Sequence, residues 1–218
     1  LEILNKVKKI QNFCNLETII VDDGSKDNSV KIIKENADLY TKSIFLFKNQ
    51  GKGKAVIEGI KNASGEYIVI QDADLEYDPI DLKDFILKIN QKNADLIMGS
   101  RFIGNKRSVL HFWHMVGNKF ITLIFNLLNN TTFTDIYCCY CLFKKNLIDY
   151  KKLKSFGWGQ QAEILTYVVK NSNKIFEIGI NYDARNYKQG KKIRYYDVFS
   201  VLYFIIITKF KIFFKNEV

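Results

Sequence analysis

The sequence predicts an α/β fold in which a mostly parallel sheet is flanked by helices. Short apolar runs at 17–21, 43–47, 66–70 and 95–98 alternate with segments of helical periodicity, the pattern of strands joined by crossover helices. Three of these runs stop in polar turns: Asp22-Asp23-Gly24-Ser25, Gln71-Asp72-Ala73-Asp74 and Gly99-Ser100-Arg101. The chain has 218 residues, is 47% hydrophobic and holds a single proline, so one core over 1–218 is expected and no linker is visible.

Each element has a local reason. Ile3, Val7 and Ile10 fall at helical spacing among lysines in residues 1–12. The β-branched run 17–21 forms a strand that ends in the first acidic turn, and Val30, Ile32 and Ile33 mark a helix after it. Residues 43–47 make a second strand. Gly51-Lys52-Gly53 then breaks the chain before a helix over 55–63. The third strand, 66–70, runs into Asp72 and Asp74, after which Asp78 caps a helix with Pro79 at its first position. A fourth strand at 95–98 leads to Arg101. Beyond residue 110 the chain turns more helical, with a long apolar helix over 111–128, a strand at 139–143, a helix over 162–169 and a strand at 174–180. A polar, basic loop covers 182–194. The apolar segment 198–214 carries Lys209 and Lys211, and so lacks the run of about 18 uncharged residues that spans a membrane.

Lysine and arginine outnumber aspartate and glutamate by 33 to 23, a formal charge of +10, which favours anionic partners without choosing among nucleotides, anionic lipid and nucleic acid. No nucleic-acid-binding motif accompanies the charge. The four cysteines form no spaced disulfide framework, and Cys138, Cys139 and Cys141 lack a fourth zinc ligand at a recognised spacing from His111 or His114. Buried thiols in a reducing cytoplasm are expected.

In a largely parallel sheet, ligands sit beyond the carboxyl ends of the strands. Asp22, Asp23, Asp72, Asp74 and Arg101 all fall at such ends, so distant segments are expected to converge on one crevice. Two carboxylates at i and i+2 after an apolar strand can share a divalent cation, Mg2+ or Mn2+, which in turn clamps a diphosphate. Glu76 could add a third ligand. The alternatives are a capped turn or a phosphatase in which the first Asp is the nucleophile, and Glu76 stands where such phosphatases carry Thr or Val.

These motifs resemble the family-2 glycosyltransferases, especially the dolichyl-phosphate mannose synthase-like branch. Val21-Asp22-Asp23-Gly24-Ser25, Asn49 with Gly51-Lys52-Gly53, Gln71-Asp72-Ala73-Asp74-Leu75-Glu76, Gly99-Ser100-Arg101-Phe102, Thr134-Asp135 and the 187–193 stretch after Arg185 follow that family's order and spacing. The resemblance implies a GT-A fold and an inverting transfer from a nucleotide diphosphate sugar to a polyprenyl phosphate. It places Asp22 or Asp23 on the nucleoside, with Gly51 and Lys52 also at the donor. Asp72 and Asp74, with Glu76, take the metal. Arg101, Arg107 and Arg185, helped by Lys191 and Lys192, face phosphate through guanidinium forks or ammonium groups. Asp135, and Glu163 less so, are the carboxylates available as a base should the acceptor be a hydroxyl. Segment 198–214 is the candidate interfacial helix at the cytoplasmic face of a membrane, with a buried core helix as the alternative. Tyr137 and Cys141 stand where the family commonly has Glu and Lys. The family's first apolar strand has no counterpart ahead of Leu1, so the chain is expected to be N-terminally incomplete or an inactive copy.

Overall fold

The computed structural model of the protein describes residues 1–104, 112–184 and 197–215. Helix α1 (Glu2–Ile10) precedes β1 (Ile19–Asp22), α2 (Ser29–Glu35), β2 (Lys42–Phe45), α3 (Lys52–Asn62) and β3 (Tyr67–Val69). Then follow α4 (Leu82–Lys92), β4 (Leu96–Ser100), α5 (Phe112–Asn129), β5 (Cys141–Lys144), α6 (Gln160–Asn171), β6 (Ile175–Gly179) and α7 (Asp197–Lys215). The predicted order of elements is the observed one. Asp78 caps as its sequence context demands, accepting the Ile80 N–H at 3.0 Å, but the turn it opens is a short 3-10 helix, Pro79–Asp81, before α4 begins.

The α/β fold is the expected one, and the sheet is partly parallel, with one strand reversed. Strands β1 and β2 pair in parallel, as do β4 and β6, whereas β5 lies antiparallel between β3 and β4. The reason is topological: β5 follows α5 and the 130–140 segment and re-enters the sheet from the opposite end, and strand direction leaves no trace in the apolar run of 139–143. Four strands in the order β3-β5-β4-β6 carry the core, with Phe85 of α4, Phe125 of α5 and Leu165 of α6 fully buried on it. Cys138, Cys139 and Cys141 are buried free thiols at and before β5, as expected.

Among the described residues β1 and β2 form a separate two-stranded sheet. One edge of β1 and one edge of β3 face each other across a cavity of about 640 Å³, lined by Ile19 and Val21 from β1, Ile68 and Val69 from β3, and Val56 and Ile60 from α3. The β-branched residues Ile19, Ile20 and Val21, which a central strand would bury, stay half-buried as a result. Helix α1 lies beside this gap: Ile10 reaches its wall, and Lys6 pairs with Asp78 at 3.0 Å beyond the end of β3.

Helix α7 packs on α5 and α6, burying Val201, Ile205 and Ile212. The outer surfaces of α5 and α7 are apolar. Trp113, Val116, Phe120, Leu123 and Leu127 are exposed along α5, and Phe199, Tyr203, Ile206, Phe210 and Phe213 along α7, each set spaced alternately by three and four residues. No helix among the described residues is long and apolar enough to cross a membrane.

Candidate active site

The turns after β1 and β3 meet at the start of α3. Asp23 clamps the chain ahead of that helix: its Oδ1 accepts the Gln50 N–H at 2.9 Å and its Oδ2 the Gly51 N–H at 2.7 Å. Gly51 takes φ +97°, a conformation that a side chain would strain, and Gly53 donates its N–H to the Phe156 carbonyl at 2.8 Å with no room for a Cβ. From this anchored backbone Lys52 crosses to Asp72, its Nζ lying 2.6 Å from Oδ1 and 2.8 Å from Oδ2. Burial would lower the Lys52 pKa, but the neighbouring negative groups, Asp72 foremost among the carboxylates, raise it above its ordinary value and keep the ammonium charged.

Asp22 is buried and its Oδ1 accepts the Ser25 N–H at 3.0 Å, an Asx-type turn that holds the loop after β1. A second cavity, of about 420 Å³, opens beside this turn between Asp22, Ser25 and Asn49. Asp74 Oδ1 accepts the Glu76 N–H at 3.2 Å, closing the turn after β3. The Glu76 carboxylate accepts from the Tyr182 hydroxyl, beyond the end of β6, at 3.3 Å. The structure therefore brings Asp23, Gly51, Lys52 and Asp72 together, with Asp74 two residues along, and no cluster of three or more potential metal-ligating side chains forms among the described residues.

The Arg101 guanidinium grips Asp135 in a two-point pair, Nε at 2.7 Å from Oδ2 and Nη2 at 2.9 Å from Oδ1. Asp135 is fully buried and also accepts from Asn118 Nδ2 at 2.9 Å and the Arg101 N–H at 3.1 Å. Burial alone would raise its carboxyl, yet Arg101 and these donors hold it below the usual carboxylate range. An ionised, enclosed and fully engaged carboxylate is poorly placed to take a proton from an acceptor, so the geometry gives Asp135 a positioning part. Glu163 is structural in the same sense: it accepts the Lys154 and Ser155 N–H groups at 2.8 to 3.0 Å and thereby holds the segment that carries Phe156 against Gly53. Arg107, Arg185, Lys191 and Lys192 lie outside the described residues.

The two halves of the site are joined by an aromatic layer that sequence reasoning missed. The Tyr77 ring packs at a tilt against Tyr140, centroids 5.2 Å apart, and against Tyr182 at 5.3 Å, and the Arg101 guanidinium lies 5.2 Å over the Tyr182 ring. Tyr140 donates to Gln71 Oε1 at 2.6 Å, next to Asp72, while Cys139 sits 3.9 Å from Lys52 and donates its N–H to the Tyr77 oxygen at 3.4 Å. Burial pushes the Tyr182 hydroxyl up to about 12. The signal was present: Tyr77 directly follows the acidic turn, and Tyr182 directly follows the last strand.

The comparisons with known proteins agree with this architecture. The chain is 30% identical over 209 residues to an uncharacterised protein of Methanocaldococcus jannaschii, covering 88% of each. It is 26% identical over 194 residues to the dolichol-phosphate mannosyltransferase of Pyrococcus furiosus, covering 87% of this chain but 54% of that one, so the chain spans about half of that relative's length. Among solved structures it superposes on the glucosyl-3-phosphoglycerate synthase of Mycobacterium tuberculosis in complex with Mn2+, uridine diphosphate and phosphoglyceric acid, with a TM-score of 0.66 at 13% identity over 94% of this chain and 72% of that one. That likeness establishes the fold, the α/β GT-A architecture of nucleotide-sugar transferases. The model of "Glycosyl transferase family 2" matches residues 1–150, and the chain belongs to that family.

Proposed function

We propose that the chain is an inverting glycosyltransferase that moves a sugar from a nucleoside diphosphate sugar to a polyprenyl phosphate at a membrane surface. The observation that carries this reading is the junction of three loops at Asp23, Lys52 and Asp72, where a carboxylate and an ammonium group meet at the strand ends and line the first cavity, with the second cavity beside the neighbouring Asp22 turn. The donor's diphosphate would lie against Lys52 and the turn holding Asp72 and Asp74, with its nucleoside toward Asp22 and Asp23.

The residues fit Mg2+ or Mn2+. Carboxylate oxygens are the hard donors these ions select, and Asp72 already seats a cation, the Lys52 ammonium, on both of its oxygens. When bound to Asp72 and Asp74, such an ion would supply neutralisation of charge on the departing diphosphate. The chain's own part is positional. Asp23 and Glu163 fix the start of α3, and Tyr140 of the tyrosine layer holds Gln71, next to Asp72. In the transfer, an acceptor oxygen forms the new bond to the sugar's anomeric carbon while the bond to the diphosphate oxygen breaks and that oxygen leaves with the electron pair. A phosphate acceptor is already anionic near neutral pH, so no general base is required. That agrees with a site whose buried carboxylate, Asp135, is committed to Arg101.

The exposed apolar stripes of α5 and α7 support the membrane location. Lys119, Lys209 and Lys211 accompany them, Asp197 is the sole acidic residue of the two helices, and a chain of charge +10 is drawn to anionic lipid. The gap between β1 and β3 favours a second reading, an inactive glycosyltransferase-like chain that only binds a membrane or a partner. Incubation with a panel of nucleotide sugars, Mn2+ and polyprenyl phosphate, followed by mass spectrometry of the lipid, separates the two. A mass gain of one sugar with one donor supports transfer. No mass gain from any donor, with no calorimetric binding of a nucleotide sugar in the presence of Mn2+, supports the second.

A further inference from the structure

Lys52 is held in an unusual way: its backbone is fixed on both sides and its side chain is committed to a carboxylate of the proposed donor site. Gly51 is tied to Asp23, Gly53 to Phe156, and the four-carbon stem between them carries Nζ to both oxygens of Asp72. On those oxygens it occupies the place that a divalent cation would need. A second cation of higher charge cannot share the same two oxygens at contact distance, and the semi-enclosed cleft strengthens the repulsion. The stem can swing without moving α3, because the helix start is anchored through its backbone.

We propose that Lys52 is a tethered counter-ion that withholds Asp72 from the divalent metal until a diphosphate arrives and gives the ammonium a second partner. Metal and nucleotide then bind as a coupled pair. Each raises the affinity for the other by one common factor, as linkage requires. The diphosphate draws Lys52 away from Asp72 and also supplies oxygens to the metal, so neither ligand alone pays for displacing the ammonium. This inference rests on the reading of Asp72 and Asp74 as the metal turn.

The test is Mn2+ binding, followed by electron paramagnetic resonance and calorimetry, to the unmodified chain, Lys52→Met and Lys52→Arg, each with and without UDP or GDP, whichever of the two binds. Circular dichroism checks that the variants fold, and Met keeps most of the stem's volume. Without nucleotide, Lys52→Met is expected to bind Mn2+ about tenfold more tightly than the unmodified chain and to keep only the part of the coupling carried by phosphate oxygens on the metal, so that the coupling factor falls about tenfold, whereas Lys52→Arg retains it. Equal Mn2+ affinity of the unmodified chain and a folded Lys52→Met overturns the counter-ion role while leaving the metal turn standing. Failure of every form to bind Mn2+ even with bound nucleotide overturns both.

Discussion

Arg101 and Asp135, 34 residues apart, form a buried two-point ion pair that joins the end of β4 to the segment leading into β5. Asn118 of α5 completes the carboxylate's shell, and Glu177 of β6 accepts the Thr134 N–H at 2.8 Å and the Asp135 N–H at 3.2 Å, so four elements meet at this one charge.

Removing one member strands the other in an enclosed site. Arg101→Met is expected to cost about 3–5 kcal/mol, and Arg101→Met with Asp135→Asn less than the sum of the two single changes. Urea unfolding of the three variants measures this.

The same pair sets a response to acid. Because the folded-state pKa of Asp135 is depressed, its contribution is complete above the unfolded value of about 3.9 and is lost as pH falls through the lower folded value. Stability should therefore fall as pH drops below about 4, and the slope should flatten in the Arg101→Met, Asp135→Asn double variant. Thermal melts over that range read the difference.

The apolar faces of α5 and α7 should seat the protein on anionic bilayers. Leu123→Glu with Phe210→Glu changes two exposed positions, leaves the buried faces intact, and is expected to weaken binding to phosphatidylglycerol vesicles by at least about tenfold. Vesicle sedimentation, with circular dichroism as a folding check, measures the effect.

The cavity between β1 and β3 should accept an extended strand. Joining an apolar β-branched pentapeptide and a short polar turn ahead of Leu1 is expected to raise Tm and slow amide exchange in both strands. The same extension with prolines at alternate positions, which removes donors, should do neither. Differential scanning calorimetry and hydrogen exchange compare the two.

Elements and the turns that end them were legible because their signals are local: Asp78 ahead of Pro79, glycines around Lys52, β-branched runs before acidic turns. The antiparallel course of β5 was not, since an apolar strand reads the same in either direction. Nor was the engagement of Arg101 with Asp135, a tertiary choice between two reasonable partners, phosphate or carboxylate, that sequence spacing does not make. The tyrosine layer escaped for a related reason: Tyr77, Tyr140 and Tyr182 come from three separate segments and form a surface only once folded.

The central claim is that the turn holding Asp72 and Asp74 binds the donor's diphosphate through a divalent ion. A crystal grown with Mn2+ and the donor nucleotide measures it directly. The account predicts anomalous density for manganese bridging that turn and the two phosphates, with Lys52 drawn from Asp72 to a phosphate oxygen. Nucleotide bound elsewhere on the chain, with Lys52 still seated on Asp72, would contradict it.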